Sequence, residues 1–383
     1  MLETFRARIL ERRPLRLRGG GSKDFYGEGV GSGLPAGEPL DTRGHAGIVE
    51  YEPSELVVTA RCGTPLAELE ALLATRGQML ACEPPAFGGA ATVGGMVAAG
   101  LSGPRRATAG AVRDFVLGVQ LLDGEGRLLR FGGQVMKNVA GYDVARLMAG
   151  SLGTLGLIVE VSLKVLPRPA AEATLRLESP QAEAIERMNR WAGRPLPLSA
   201  TCWHAGVLSV RLSGARAAVA GAVAALGGER VEEAQAQAFW SALRDQRHAF
   251  FAGTGAGAGA DAATFARPAR PLWRLSVPAT AAPLPLPGAT LLEWGGAQRW
   301  WCGGAESGAD AGAKPAAEAA AARAAAQAAG GYATLFRGSA EARRAAGGAF
   351  QPLAPELLRI HRELKRAFDP HGVFNPGRLH AGL

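Results

Sequence analysis

Apolar and polar positions recur along this chain in two rhythms. Leu2, Phe5, Ile9 and Leu10 fall at helical spacing within Leu2–Arg12, and Pro14 ends that run. Leu15 and Leu17 then alternate with Arg16 and Arg18, the period of a short half-buried strand. Ile48–Tyr51 and Leu56–Ala60 are β-rich runs separated by Pro53-Ser54. Thr64-Pro65 predicts a helix start, with Thr64 as cap and Pro65 as the first helical residue. Leu66, Leu69, Leu72 and Leu73 form its apolar face, and Gly77 closes it. Phe115–Leu122 and Leu128–Phe131 flank Asp123-Gly124-Glu125-Gly126, a hairpin pattern. Asp143 predicts the cap of a short helix reaching Met148, and Leu155–Leu166 reads as a strand that stops at Pro167-Arg168-Pro169.

The character changes after that proline pair, which marks a first boundary at residue 169. Pro180–Trp191 and Glu232–Phe251 read as helices and Val207–Leu212 as a strand. Ala252–Ala263 is Gly/Ala low complexity, Pro268–Pro287 is proline-rich, and Ala309–Ala329 predicts a helix beginning near Pro315. Both Ala/Gly tracts read as drifted surface segments. Leu357–Phe368 is a final amphipathic helix. The organisation expected is 1–169, 170–350 and a tail of 351–383.

Composition narrows the classes. The chain has 383 residues, 48% of them hydrophobic and 20% charged, enough for a sizeable core. Its net charge is +8, and 37 of the 42 basic residues are Arg. The basic residues cluster only in pairs such as Arg105-Arg106, without the interleaved aromatics of nucleic-acid binders, so a nucleic-acid partner is not expected. Cys62, Cys82, Cys202 and Cys302 lie far apart and form no C-x-x-C, so neither a zinc ribbon nor an iron–sulfur cluster is signalled, and no metal site is expected. Met1–Arg18 is charged throughout and lacks the apolar core of a secretory signal, which points to the cytoplasm. The uncharged stretch Pro84–Pro104 holds six Gly and three Pro, a poor membrane span. It reads instead as a buried loop against a ligand.

Gly19-Gly20-Gly21-Ser22-Lys23 directly follows the first short strand. Consecutive glycines let backbone N–H groups converge on a phosphate, with Ser22 adding a hydroxyl and Lys23 a cation. Alone, such a loop is more often a plain turn. Gly27–Gly33 and Gly253–Gly259 imitate a dinucleotide fingerprint, but neither follows a strand and opens a helix. Further along come Thr92-Val93-Gly94-Gly95, Ser102-Gly103-Pro104-Arg105-Arg106, Gly110-Ala111-Val112-Arg113-Asp114-Phe115, Lys137-Asn138-Val139-Ala140-Gly141-Tyr142-Asp143, Gly150-Ser151-Leu152-Gly153-Thr154-Leu155-Gly156, and a tail of Gly372-Val373-Phe374-Asn375-Pro376-Gly377-Arg378.

In this order, the motifs from about Arg18 to Pro169 resemble the vanillyl-alcohol-oxidase/PCMH type of FAD-binding family. With Glu83-Pro84-Pro85, Phe131-Gly132-Gly133 and the tail included, the chain is similar to the FAD-binding E-subunit family of bacterial glycolate oxidases. The resemblance implies an α+β fold: a PCMH-type two-lobed FAD-binding domain over 1–169, with a small N-terminal βαβ-like lobe and a larger mixed sheet. It implies a second, α/β-sandwich cap domain with an antiparallel sheet over 170–350, and a tail, 351–383, returning to the FAD domain.

It also implies site residues. The pyrophosphate loop falls on Gly19, Gly20, Gly21, Ser22 and Lys23. The loop lining the flavin falls on Thr92, Gly94, Gly95, Ser102 and Gly103, supported by Gly110 and Asp114. Gly141 and Tyr142 would lie near the flavin, Ile158 would meet the adenine end, and Asn375 would return from the tail. Some relatives attach FAD through His or Cys. Here the pyrophosphate loop has neither, and Cys62 and Cys82 lie outside the motifs that would present them, so FAD is expected to be non-covalent.

The resemblance implies a subunit of a complex oxidising a small 2-hydroxy acid, glycolate, beside a catalytic flavoprotein subunit and an iron–sulfur subunit. The complex would stand at most at the inner face of the membrane, through its partners. None of the six His lies in the H-x-G-D-G-N motif of the catalytic subunits, and His371 and His45 read as turn histidines. Glu232-Glu233 read as surface charges, and Trp294, Trp300 and Trp301 as packing more than as a cleft lining. No catalytic residue is assigned. Two alternatives stay open: a stand-alone FAD-dependent 2-hydroxy-acid dehydrogenase, and a flavin-less structural subunit.

Overall fold

The structure is a computed structural model that describes residues 1–28, 37–133, 142–252, 270–303, 314–380 and 382–383. The chain divides into two compact units. The first comprises Met1–Ser102, Gly110–Pro167 and Pro352–Leu383; the second comprises Gly103–Ala109 and Arg168–Gln351.

In the first unit, helix α1 (Leu2–Leu10) precedes β1 (Leu15–Arg18), which pairs in parallel with β2 (Glu38–Asp41). Helix α1 lies before the strands, and the described part of the β1–β2 connection, Gly19–Glu28, is irregular. Five further strands follow: β3 (Ile48–Glu52), β4 (Val57–Arg61), β5 (Gln78–Met79), β6 (Val116–Leu122) and β7 (Leu128–Gly132). With β8 (Leu157–Lys164), four of these make a sheet in the order β3-β4-β8-β6-β7. Every described pairing in that sheet is antiparallel, so it is not mixed. At β6 and β7 the short hairpin turn requires this, because parallel neighbours would need a long crossover. β5 pairs with β9 (Leu166–Pro167) as a separate two-stranded ladder.

Phe5 and Ile9 of α1, Leu15, Leu40, Leu122, Leu157 and Val159 share one buried cluster with Val373 and Phe374 of the tail. The tail thus joins the first core directly. Leu15 N donates to Val373 O (2.6 Å) and Asn375 N to Leu15 O (2.9 Å), so the tail runs alongside β1.

Two local expectations change. Helix α2 (Leu66–Ala74) is capped by Pro65, at φ −57° and ψ 132°. The Thr64 hydroxyl turns away, accepting from Gly47 N (2.9 Å) and donating to Gly47 O (3.1 Å). The stretch Pro84–Pro104 is not simply a loop, because α3 (Val93–Ala99) forms within it. Thr92 caps its start and Gly100, at φ +64°, ends it. Small side chains let this helix sink into the core, where Val93 and Val97 are fully buried.

The second unit carries an antiparallel sheet of β10 (Ala171–Glu178), β11 (Leu198–His204), β12 (Val207–Gly214), β13 (Glu229–Val231), β14 (Leu272–Ser276), β15 (Thr290–Glu293), β16 (Gln298–Cys302) and β17 (Tyr332–Arg337). Their order is β13-β10-β12-β11-β15-β16-β14-β17. Leu175, Leu208, Val210 and Leu212 pack on Ile185 and Met188 of the helix Gln181–Ala192 and on Val219 and Ala222 of the helix Arg216–Leu226. At the other end, Trp273, Leu275, Trp301 and Leu335 pack on Ala319, Ala322 and Ala326 of the helix Lys314–Ala328. The alanine-rich helix is therefore core and not a surface segment; its small face lets it approach bulky tryptophans. Glu232 lies on the surface as expected and also caps the helix Glu233–Arg244, accepting from Gln235 N (3.0 Å). The layers are thus α+β, with helices on antiparallel sheets.

Candidate functional site

The first unit holds a cavity of about 110 Å³. It opens beneath the turn that leaves β1. Gly19, Gly20, Gly21, Ser22 and Lys23 line one wall, and Thr92, Gly94 and Gly95, at the start of α3, line another. Ile158 of β8 and Asn375 of the tail also face it.

Glycine is demanded at position 20 by the chain itself. A Cβ there would overlap the main-chain carbonyl of Ala90, so the 88–91 loop presses directly on the glycine turn. Gly21 sits at φ +75°, a left-handed conformation that other residues adopt rarely. Among the described residues, no acceptor pairs with the amides of Gly20, Gly21 or Ser22. Unspent N–H donors on a cavity wall fit an anionic ligand. The charged lining fits it too: Arg18, Lys23 and Arg378 against one carboxylate, Asp24. Arg18 Nε donates to Asp24 Oδ2 at 2.7 Å, and Lys23 Nζ donates to the Ser22 hydroxyl at 3.2 Å.

The walls are joined by long-range bonds. Gly94 N donates to Cys62 O (2.8 Å) and Cys62 N to Val159 O (2.9 Å), tying α3 and β8 to the end of β4. A Cβ on Gly94 would come within 2.6 Å of Cys62 Cβ, so α3 can approach this closely only with glycine there. Asn375 Oδ1 accepts from Leu17 N (2.8 Å) and its Nδ2 donates to Leu152 O (2.7 Å). Its backbone is at φ +40°, where asparagine is among the few residues tolerated.

That tail is held by a buried pair. Lys365, in the last turn of the helix Pro355–Phe368, is 7% exposed. Its Nζ donates to Asp369 Oδ2 (2.6 Å), Thr154 O (2.7 Å) and Phe374 O (2.8 Å), using all three protons. Asp369 in turn accepts from Val373 N (2.9 Å) and Phe374 N (2.8 Å). Burial pushes the Lys365 ammonium below its ordinary pKa, and the Asp369 carboxylate opposes that.

The other residues read from the sequence lie elsewhere. The Ser102 hydroxyl accepts from Val112 N (3.0 Å) and Asp114 Oδ2 accepts from Ala111 N (2.8 Å), so both brace the turn near Gly110. Gly103 belongs to the second unit, where its carbonyl accepts from Trp294 Nε1 (3.0 Å). Tyr142 is 98% exposed and lines no part of the cavity. Gly141 lies outside the described residues, as do most of the 137–143 motif, the 253–259 pattern and all but the start of the 27–33 pattern.

Trp300 and Trp301 are buried packing residues; Trp300 Nε1 donates to Glu293 Oε2 (2.7 Å). His45 stacks edge-on against Phe5, its pKa lowered by burial, and His371 is an exposed turn residue. Sequence reading missed Arg18, Cys62, Leu152 and Arg378 on the cavity wall. Leu152 and Arg378 carried a signal, each standing in a motif already singled out.

The glycine turn and its cavity suit a phosphate-bearing cofactor, and the family matches make the chain an FAD-linked oxidase with FAD as its cofactor. Residues 6–132 match the family model of an FAD binding domain, and residues 351–379 match that of the C-terminal domain of FAD linked oxidases. Over all of its length the chain is 46% identical to glycolate oxidase subunit GlcE of Escherichia coli strain K12, covering 97% of that protein. The chain belongs to the family of glycolate oxidase subunit GlcE. It is also 32% identical to glycolate oxidase subunit GlcD of Bacillus subtilis strain 168, over 33% of this chain and 27% of that one. A solved structure of alkyldihydroxyacetonephosphate synthase superposes with a TM-score of 0.62 at 14% identity, covering 96% of this chain and 73% of that one, and so shares the fold. The chain is an FAD-dependent oxidoreductase subunit.

Proposed function

We propose that this chain is the FAD-bearing subunit of a complex that oxidises glycolate to glyoxylate. A catalytic flavoprotein subunit and an iron–sulfur subunit would act beside it, with electrons passing onward to the cluster. The observation that carries the reading is the full-length likeness to subunit GlcE, joined to a cavity whose wall bears the glycine turn, unspent amides and an excess of cations. Bound FAD supplies a two-electron acceptor. Gly20, Gly21 and Ser22 would present their amides to its diphosphate. Thr92, Gly94 and Gly95 would bring α3 against the flavin and ribityl chain, and Ile158 would face the adenine end. Residues 1–169 and 351–383 would form the flavin domain and 170–350 the cap.

FAD is held here without a covalent bond on this reading. Among the described residues no histidine lines the cavity and one cysteine does, Cys62, whose thiol is pushed up to about 12 by burial. A protonated thiol is a poor nucleophile. No described helix is long and apolar enough to cross a membrane, and four free cysteines suit a reducing cytoplasm, where we place the protein.

The test is dye reduction by glycolate, with the chain alone and co-purified with its two partners. The subunit reading expects full rate only for the assembly. Full rate from the lone chain would replace it with a stand-alone dehydrogenase. An assembly that works with this chain free of flavin would leave a structural subunit.

A further inference from the structure

Arg378 is 7% exposed, yet it lines the cavity beside the glycine turn. Its Nη2 donates to Lys23 O (3.1 Å) and, more loosely, to Asp24 O (3.5 Å). Its buried Nε has no acceptor among the described residues. Burial lowers its pKa, partly opposed by Asp24 and reinforced by Arg16. A buried guanidinium is costly unless it meets an anion. The carboxylate on this wall, Asp24, is already bonded to Arg18 Nε. Three cations against one carboxylate leave the cavity with two positive charges in excess.

The same side chain binds the carbonyls of Lys23 and Asp24, just past the Gly20–Ser22 amides that have no acceptor among the described residues. Both halves of an anion site come from segments more than 350 residues apart.

We propose that Arg378 is a binding residue for the cofactor's diphosphate: the C-terminal tail delivers the counter-charge that the glycine turn lacks. This rests on FAD being the ligand of this cavity. A guanidinium suits the task because it can bond a main-chain carbonyl and a phosphate oxygen at once, which an ammonium does less well.

The experiment uses the full chain freed of flavin and titrated with FAD and, separately, with riboflavin, which has no diphosphate, following flavin fluorescence. Arg378→Gln is expected to weaken FAD binding about 10- to 100-fold and to leave riboflavin binding within about threefold. Arg378→Lys, which keeps the charge, should fall between. An unchanged FAD affinity in Arg378→Gln would overturn the proposal. So would equal weakening of FAD and riboflavin, which would mean a structural latch. If Arg378→Gln does not fold, Arg378→Lys decides: a loss confined to FAD supports the proposal, and a loss shared with riboflavin, or none, overturns it. Failure of the wild-type chain to bind FAD is a separate result and would remove the reading of the cavity itself.

Discussion

Gly20 and Gly89 make a matched pair of perturbations across one contact. A methyl on Gly20 would overlap the carbonyl of Ala90 and approach Ala90 Cβ to 3.0 Å. A methyl on Gly89, one residue before Ala90, meets nothing within 4 Å, and Gly89 is exposed. The obstacle to Gly20→Ala is main chain, which cannot rotate aside as a side-chain tip can. Overpacking of this kind costs typically 1–3 kcal/mol, and a rigid neighbour argues for the upper end, about 3 kcal/mol. For a domain of about 150–250 residues each kcal/mol moves the melting midpoint by about 2–4 °C, so Gly20→Ala should melt about 6–12 °C lower. Gly89→Ala should stay within about 0.5 kcal/mol of the parent. Displacing the 88–91 loop also moves the glycine amides, so Gly20→Ala should lose FAD affinity as well. Thermal melts and fluorescence titrations of both variants give the answer. Equal behaviour of the two variants, or a Gly20→Ala protein that binds FAD normally, would refute the packing argument.

Two other outcomes follow from named contacts. Lys365→Met leaves Asp369 buried without its cation and should cost about 3–5 kcal/mol, read by chemical denaturation, whereas Lys365→Met with Asp369→Asn should recover part of that loss. His45, His248 and His380 all have pKa values lowered from 6.5, burial being the largest cause in each. Their folded forms resist protonation, so the stability they contribute is full above pH 6.5 and falls as the pH drops through their lowered folded values. At His248 a hydrogen bond acts beside burial: Nδ1 accepts from Phe250 N (3.2 Å), which a ring protonated there cannot do. Thermal melts from pH 7.5 down to pH ~5 should show the decline, and His248→Asn, which keeps an acceptor, should flatten it. An unchanged slope in that variant would remove His248 from the account.

What could be read from the sequence depended on range. The β6–β7 hairpin, the Asp143 cap and the helix Pro355–Phe368 are set by residues within a few positions, and their patterns were plain. The glycine turn was legible as a candidate because triple glycine after a strand is locally odd. Its strictest requirement, the Ala90 carbonyl pressed on Gly20, comes from 70 residues away and leaves no mark in composition. Cys62, Leu152 and Arg378 reach the cavity only through tertiary bonds, such as that between Asn375 and Leu17, 358 residues apart. The Thr64 hydroxyl went to Gly47 in place of a helix cap because a through-space partner offered both a donor and an acceptor. The alanine-rich helix misled for the same reason: alanine reads as neutral until a tryptophan-bearing sheet is placed against it.

The central claim is that this chain holds FAD in the cavity between its glycine turn and its C-terminal tail, without a covalent bond. The visible absorption spectrum of the purified full chain, before and after acid precipitation, tests it most directly. The account predicts flavin bands in the native protein that pass entirely into the acid supernatant as FAD. A colourless protein that takes up no FAD on reconstitution, or a flavin that stays with the precipitate, would contradict it.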